Sequence, residues 1–195
     1  LPPRGQIYDR EGRLLAGNEK VYQVGINLVY VDWGRTKDEE PRDARAIATT
    51  LSYLLDIPYE EVLAAANIPY DQDSAVYMAI RSFVSYEEVM KISDFIDDYE
   101  EEHNGKDDPH LWAITWRPQL GRSYPENNLA SGILGFVSQR DGKGYYGIEQ
   151  QYDVQLTGFS QEVYIPNDPN LVKELPDIPP GSSLILTIDR EIQFM

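Results

Sequence analysis

The chain holds few histidine and cysteine side chains, which enzymes often use as bases, nucleophiles or metal ligands. It contains no cysteine, and its two histidines, His103 and His110, lie in an acidic stretch. A zinc site would need both histidines to converge with carboxylates, and their spacing does not bring such a group together. We therefore expect two solvated histidines, no metal site and no cofactor.

Other catalytic motifs are weak or missing in the sequence. A nucleophilic serine needs an activating base, and the patterns G-x-S-x-G, S-x-x-K and K-T-G do not occur. The glycines of RDGKGYYG, at positions 142, 144 and 147, lack the Lys-Ser or Lys-Thr pair of a phosphate-binding loop. A carboxylate pair for glycoside hydrolysis is defined in space and not by sequence spacing. An acidic glycan-processing hydrolase therefore stays open as an alternative function.

The charge composition disfavours some classes of partner. Seventeen basic side chains against 33 acidic side chains give a formal net charge of -16. Such a chain repels phosphate backbones and anionic lipid head groups, so we expect no nucleic-acid partner.

The longest apolar run, around residues 26–31, is too short to cross a bilayer. With 195 residues and 42% hydrophobic content, the chain can bury a core as one domain or as two small lobes.

The segment RGQIYDREGRLLA at residues 4–16 combines three arginines, two acids and two glycines with apolar residues. Its charges alternate with Ile7, Leu14 and Leu15, whose side chains favour burial. We therefore expect some of these charges to have fixed partners in the folded chain.

Hydrophobic periodicity predicts an α/β segment in the first half of the chain. Ser85 and Glu88 form a capping-box pattern, which predicts the start of a helix. We expect the acidic run 97–109 to end that helix in a solvated loop, because like charges at a helix C-terminus oppose its dipole. The other predicted elements are a strand over 21–31, a charged turn over 34–41, helices over 44–57 and 60–67, and a strand over 75–84.

The second half of the chain is predicted to be less regular. Residues 118–147 are rich in Gly, Pro, Asn and Ser, which predicts a long ordered loop with at most one short helix, near 129–134. Asp189 is placed to cap a following helix. The other predicted elements are a strand over 111–117, a helical turn over 147–155, a proline-rich connector over 166–181 and a strand over 183–188.

Four separated segments form a recognisable set. They are RGQIYDREGRLLA at 4–16, GRSYPENNLASGILG at 121–135, GKGYYGIEQQYDVQLTG at 142–158 and GSSLILTID at 181–189. In order and approximate spacing, this set resembles the N-terminal region of class B penicillin-binding proteins, which is called the pedestal or dimerisation domain. Residues 38–110 match that region only by position and length. Glu126 and Asn127 stand where the family usually has a glycine.

The resemblance assigns a set of structural motif residues to this chain. An arginine presents a planar fork of donors that suits a carboxylate, so we predict that Arg10, or Arg4, pairs with Glu149. A partly dry pair of this kind fixes orientation more than it adds net stability. The full set is Arg4, Gly5, Asp9, Arg10, Gly12, Arg122, Tyr124, Pro125, Gly135, Gly144, Gly147, Glu149 and Gly158.

The resemblance implies an α+β fold with an elongated, mostly β stem, long irregular segments and a small α/β head lobe. The stem would be discontinuous and comprise residues 1–37 and 111–181. The head would be an insertion over residues 38–110, and residues 182–195 would begin a truncated transpeptidase domain.

The resemblance also implies a function that depends on placement. In the family the catalytic serine lies in an S-x-x-K motif beyond a strand such as SLILTID, so we expect this chain to be non-catalytic. Its parent would be a peptidoglycan D,D-transpeptidase, held at the extracytoplasmic side of the cell membrane by an N-terminal anchor. The implied partners are its own transpeptidase domain, a polytopic membrane glycosyltransferase, other elongation or division proteins, and a second copy in a homodimer. A stand-alone module that binds the cell wall is a further alternative.

Overall fold

The computed structural model of the chain describes residues 2–31, 42–72, 75–103, 108–126, 131–158, 178–189 and 192. Packing divides the chain into two compact units. Unit 1 comprises Leu1–Glu19, Leu120–Tyr164 and Pro176–Met195, and unit 2 comprises Lys20–Gln119 and Ile165–Leu175. The boundaries of stem, head and transpeptidase domain that the sequence suggests stay predictions. The predicted turn over 34–41, most of the predicted connector and the start of the helix after Asp189 lie outside the described residues.

The described residues form a mixed sheet, a two-stranded sheet and several helices. In chain order the elements are β1 (Ile7–Tyr8), β2 (Leu14–Asn27), a 3-10 turn (Leu28–Tyr30), α1 (Ala44–Leu55), α2 (Tyr59–Ala66), β3 (Tyr77–Val84), α3 (Tyr86–Glu102), β4 (Ile114–Ser123), α4 (Ser131–Leu134), β5 (Phe136–Val137), β6 (Gly144–Tyr145), α5 (Gly147–Gln151), α6 (Asp153–Thr157) and β7 (Leu184–Ile185). The strand order in the larger sheet is β3-β2-β1-β7, with β4 also paired to β2, and β5 pairs with β6. This mixture of helices and sheets confirms the predicted α+β fold class. Within the described ranges, no helix combines the length and the apolar character needed to cross a membrane.

Helices α1 and α2 confirm the two helices predicted for this part of unit 2. The apolar residues of α1 recur every three or four positions, so they share one face and are buried together. Asp56 ends α1 in the left-handed conformation, with φ of 51°, and α2 begins directly after Pro58. The core of unit 2 includes Val24, Ile26, Ala44, Ile47, Ala48, Leu51, Leu55, Val62, Val84, Val89, Ile92 and Leu111.

Helix α3 begins at the predicted capping box. The Ser85 hydroxyl accepts a hydrogen bond from the Glu88 amide at 3.2 Å, and the Glu88 carboxylate accepts one from the Ser85 amide at 2.9 Å. The prediction that residues 97–109 form a solvated loop was wrong for the first half of that run, because α3 continues to Glu102. The Glu100 carboxylate accepts a hydrogen bond from the Leu111 amide at 2.6 Å. Such tertiary contacts outweigh the unfavourable dipole of acids near the helix end.

Strand β2 starts earlier and ends earlier than the predicted strand over 21–31. It stops at Asn27, whose buried side chain accepts a hydrogen bond from the Val29 amide at 3.1 Å and so starts the 3-10 turn. Strand β3 pairs antiparallel with β2 from Tyr22↔Val84 to Asn27↔Tyr77, and the register shifts on both sides of Val24.

The segment predicted as a long loop over 118–147 is more regular than expected. Strand β4 continues to Ser123, and α4 and the β5–β6 hairpin follow. Strand β4 contains Pro118 and Gly121, which normally interrupt strands, and this composition concealed its second half in the sequence.

Unit 1 contains β1 and β7 of the larger sheet, and it has its own core. Strand β1 pairs antiparallel with β2, where Ile7 lies opposite Ala16, and parallel with β7, where Ile7 lies opposite Leu184. The predicted burial of Ile7 and Leu15 is confirmed, whereas Leu14 is only half-buried. The core of unit 1 contains Ile7 and Leu15 together with Ala16, Leu134 and Leu156.

Candidate functional site

A buried carboxylate lies at the centre of unit 1. Glu149, in the first turn of α5, has no exposed surface. The Nε atom of Arg4 donates to its Oε2 at 2.7 Å, and the Nε atom of Arg122 donates to its Oε1 at 2.8 Å. Each carboxylate oxygen therefore has its own arginine. Three segments that are far apart in sequence meet at this point.

Arg4 also contacts the next two turns of the chain after Glu149. Its Nη1 atom donates to the Thr157 hydroxyl at 2.7 Å and lies 2.8 Å from an oxygen of Asp153. Its Nη2 atom donates to the backbone carbonyl of Glu149 at 2.9 Å. Asn18 donates to the Arg4 carbonyl at 2.6 Å. The guanidinium group of Arg4 is thus held from several sides, in a position that is almost closed to solvent.

Arg122 connects the end of β4 to the segment that leads into β1. Its Nη1 atom donates to the Gly5 carbonyl at 2.8 Å. Its Nη2 atom lies 2.8 Å from Glu149 Oε1, but the direction of that contact does not form a hydrogen bond. The contact is still a close attraction between opposite charges, because both groups are shielded from water.

Tyr124 closes the side of the site next to the hairpin. Its hydroxyl accepts a hydrogen bond from the Val137 amide at 3.1 Å and lies 3.4 Å from Glu149 Oε1. Burial, and then the negative charge of Glu149, raise the pKa of Tyr124 to about 12. The tyrosine therefore stays neutral at physiological pH and can donate to the carboxylate.

The four charged residues Arg4, Arg122, Glu149 and Asp153 form what we call the ion network. It contains two positive and two negative side chains, so its formal charges balance. Arg4, Arg122 and Glu149 are buried, and this fixes their geometry, since any change of position leaves a buried charge without a partner. Glu149 accepts hydrogen bonds from two arginines and is closed to solvent, which does not suit a general acid or a nucleophile. Among the described residues, no cluster of His, Asp and Glu could hold a metal ion.

The glycines in the predicted motif permit close approach of backbone segments. A Cβ atom on Gly144 would lie 2.0 Å from the Glu149 carbonyl and 2.8 Å from Nη2 of Arg4. A Cβ atom on Gly5 would lie 1.9 Å from the carbonyl of Ser182. The Gly144 amide donates to Asp153 at 2.8 Å, so it serves a carboxylate of the chain itself and not a phosphate. Four further motif residues, Gly12, Gly135, Gly147 and Gly158, have positive φ.

Other motif residues lie outside the ion network. Of the two arginines predicted to pair with Glu149, Arg4 does so, whereas Arg10 pairs with Asp189 at 2.7 Å on the surface. Asp9 is buried and accepts hydrogen bonds from the amides of Glu11 and Arg13, which shapes the turn that contains Gly12. Pro125 lies in the turn after β4.

The sequence reasoning missed Asp153 and Thr157. Glu149 lies in α5, and Asp153 and Thr157 lie in α6, four and eight residues further along the chain. The three side chains are therefore about one helical turn apart. A polar row at helical spacing next to a predicted ion pair was the available signal.

The expectation of two solvated histidines was wrong. The His110 ring is stacked on Trp112, with ring centroids 4.1 Å apart, and its Nδ1 atom lies 2.8 Å from the Glu100 carboxylate. The His103 ring is stacked on Tyr99 at 4.0 Å. Flat apolar faces are favourable partners for an imidazole ring, and this preference is not visible in residue spacing.

Known proteins are similar to the chain in sequence and in fold. Residues 1–175 match the family model described as Penicillin-binding Protein dimerisation domain. The peptidoglycan D,D-transpeptidase MrdA of Salmonella typhimurium (strain SL1344) is 25% identical over 216 residues, which cover 98% of this chain and 31% of the relative. MrdA of Escherichia coli (strain K12) is 22% identical with the same coverage. The chain therefore spans about a third of the length of these curated relatives.

Two solved structures show a similar fold. Penicillin Binding Protein 2X from Streptococcus thermophilus has a TM-score of 0.54 at 21% identity, covering 99% of this chain and 29% of that chain. The complex between PBP2 and MreC from Helicobacter pylori has a TM-score of 0.55 at 20% identity, covering 100% of this chain and 36% of that chain. Because the family match extends over most of the residues, the chain belongs to the penicillin-binding protein dimerisation-domain family.

Proposed function

We propose that the chain is the non-catalytic pedestal of a class B peptidoglycan D,D-transpeptidase, and that it positions the catalytic domain. In this proposal residues 1–37 and 111–181 form the stem, residues 38–110 form the head, and the transpeptidase domain begins near residue 182. The observation that supports it is the ion network, which joins segments 145 residues apart through a carboxylate that solvent does not reach.

The energetics of the ion network fit a positioning role. Burying charged groups is costly, and a pair of this kind adds little net stability compared with an apolar core. Its benefit is a single permitted arrangement of the segments that it joins. Such rigidity suits a domain that must hold a neighbour at a defined place and orientation.

The proposal also covers location and partners. The parent protein would be held at the extracytoplasmic side of the cell membrane by an N-terminal anchor. The Helicobacter pylori structure is of PBP2 in a complex with MreC, so we propose a protein of the MreC type as one partner. The other proposed partners are a polytopic membrane glycosyltransferase, further elongation or division proteins, and a second copy of the chain.

Labelling with a fluorescent penicillin tests the non-catalytic assignment. Residues 1–195 alone should form no covalent adduct, whereas the same chain with its native continuation should form one. Replacing the serine of an S-x-x-K motif in that continuation by alanine is the control and should abolish labelling. An adduct on residues 1–195, or none on the longer protein, would contradict the proposal.

Partner binding is tested separately with purified proteins. The MreC protein from the same organism should bind the chain in biolayer interferometry. An unrelated protein with a comparable acidic charge serves as the control for non-specific attraction. Equal signals for the two proteins would count against a specific partner surface.

A further inference from the structure

The β5–β6 hairpin of unit 1 exposes a cluster of aromatic rings. Phe136, Tyr145 and Tyr146 are 49%, 39% and 69% exposed. The centroid of the Phe136 ring lies 5.8 Å from that of Tyr145 and 6.0 Å from that of Tyr146. Ile133, which is 44% exposed, belongs to α4 next to the same hairpin. Large apolar side chains that are grouped at the surface mark a binding surface more often than single exposed ones do.

Tyr146 is held in a strained backbone conformation. Its φ of 61° and ψ of 164° belong to a region that glycine adopts readily and other residues adopt rarely. Backbone strain is tolerated mainly where the strained residue has a function. Glycine at this position would remove the strain and the exposed ring together. The presence of a tyrosine therefore indicates that the ring itself is used.

The loop of the same hairpin carries exposed positive charge. Arg140 and Lys143 are both exposed. The acid between them, Asp141, accepts hydrogen bonds from the Tyr145 hydroxyl at 2.9 Å and from the Lys143 amide at 3.2 Å. The described residues of unit 1 include six basic and eight acidic side chains, so most of the net charge of -16 lies elsewhere in the chain. The repulsion of anionic surfaces expected from the whole composition is therefore weak for this unit.

We propose that the aromatic hairpin, defined by Phe136, Arg140, Lys143, Tyr145 and Tyr146, rests in the interfacial layer of a lipid bilayer. Aromatic rings with polar edges favour that layer, and nearby Lys and Arg side chains are attracted to anionic head groups. A second copy of the hairpin is a poorer occupant, because it would bring equal positive charges together. The inference deepens the proposed function, since it assigns the pedestal a direct contact with the membrane that anchors the parent protein.

Flotation with vesicles of phosphatidylethanolamine and a minor fraction of phosphatidylglycerol tests this inference. The chain of residues 1–195 should float with the vesicles. The variant Tyr146→Gly should bind about tenfold more weakly, since it loses one buried aromatic side chain. Its urea midpoint should be equal to or higher than that of the parent chain, because the backbone strain is relieved. The binding loss is then not a folding defect.

Two further variants separate the contributions. Tyr53→Ala removes a ring that is 79% exposed on α1 of unit 2, and it should leave flotation unchanged. Changing Arg140 and Lys143 together to glutamine should weaken binding only to vesicles that contain phosphatidylglycerol.

Several results would overturn the inference. One is that the chain does not float with vesicles, and another is that Tyr146→Gly and Tyr53→Ala change vesicle binding equally. A third is that the chain fails to bind vesicles but forms a complex with a protein or with wall glycan that depends on Tyr146. None of them changes the expected penicillin labelling of the longer protein, so the pedestal assignment is tested independently.

Discussion

Replacing Glu149 by glutamine should strongly destabilise unit 1. The side chain keeps nearly the same volume, so the change tests charge and hydrogen bonding and not packing. Arg4 would retain Asp153, Thr157 and the backbone carbonyl of residue 149, and Arg122 would retain the Gly5 carbonyl. Both guanidinium groups would nevertheless lose the anion that lies between them. In addition, the N–H groups of the new amide would face the N–H donors of an arginine.

The expected cost follows from burial. Removing one partner of a buried ion pair costs about 3–5 kcal/mol, because the remaining charge stays in a medium that solvates it poorly. The side chains of Arg4, Arg122 and Glu149 are 8%, 5% and 0% exposed, which places them in that class. With a urea m-value of about 2 kcal/mol/M, the midpoint should fall by roughly 2 M.

The matched control is Glu11→Gln. Glu11 pairs with Arg13 at 2.7 Å, the same distance as the pair of Arg4 and Glu149, but these two side chains are 44% and 47% exposed. The control should cost less than about 1 kcal/mol. Urea unfolding followed by circular dichroism, with hydrogen exchange to distinguish the two units, measures both variants. A loss at Glu149 no larger than that at Glu11 would refute the reasoning, because burial would then make no difference.

Three further outcomes are expected from the structure. Gly144→Ala should lower the free energy of unfolding in urea by about 3 kcal/mol or more, because its Cβ atom would overlap the Glu149 carbonyl. The control is Gly12→Ala, whose Cβ atom meets no other atom within 4 Å. It should cost only about 1–2 kcal/mol, because Gly12 has a positive φ. The pKa of Tyr124 is raised from 10.0 to about 12, so its contribution to stability is present below pH 10 and is lost as the pH rises through 12. Urea midpoints across this range should therefore fall further for the parent chain than for Tyr124→Phe, and parallel curves would contradict the assignment. Ser85→Ala should cost about 1 kcal/mol. NMR titration of that variant should find the pKa of Glu88 closer to its usual value. The pKa should still be lowered, because the backbone amide at position 85 remains a donor. A pKa of Glu88 equal to that in the parent chain would exclude a contribution from the Ser85 hydroxyl.

Local sequence patterns predicted much of the fold. The periodicity of α1 and the capping box of α3 depend on neighbours within a few residues, and both elements form where these patterns predict them. The end of β2 depends on the side chain of Asn27, and the length of α3 depends on contacts of Glu100 with distant backbone. Such contacts join residues that are remote in sequence, so periodicity does not reveal them.

The candidate site was predictable in kind but not in detail. Arginine and carboxylate chemistry indicated an ion pair with Glu149, yet Arg4 and Arg10 were equally suitable by residue type. The turn formed by Asp9 and Gly12 decides between them, because Arg10 lies in that turn and reaches Asp189 on the surface. Only the folded path of the chain shows which arginine faces inward.

The parallel pairing of β1 and β7 has a mechanical consequence. Backbone hydrogen bonds join Pro3 to Gly181, Gln6 to Leu184, Tyr8 to Leu186 and Arg10 to Ile188. When tension pulls residues before Pro3 away from residues after Ile188, two parallel strands are loaded in shear, and these bonds share the force instead of opening one at a time. Unit 1 should therefore resist stretching along this direction, and a pull on its first residues would pass directly to the segment that leaves at Asp189.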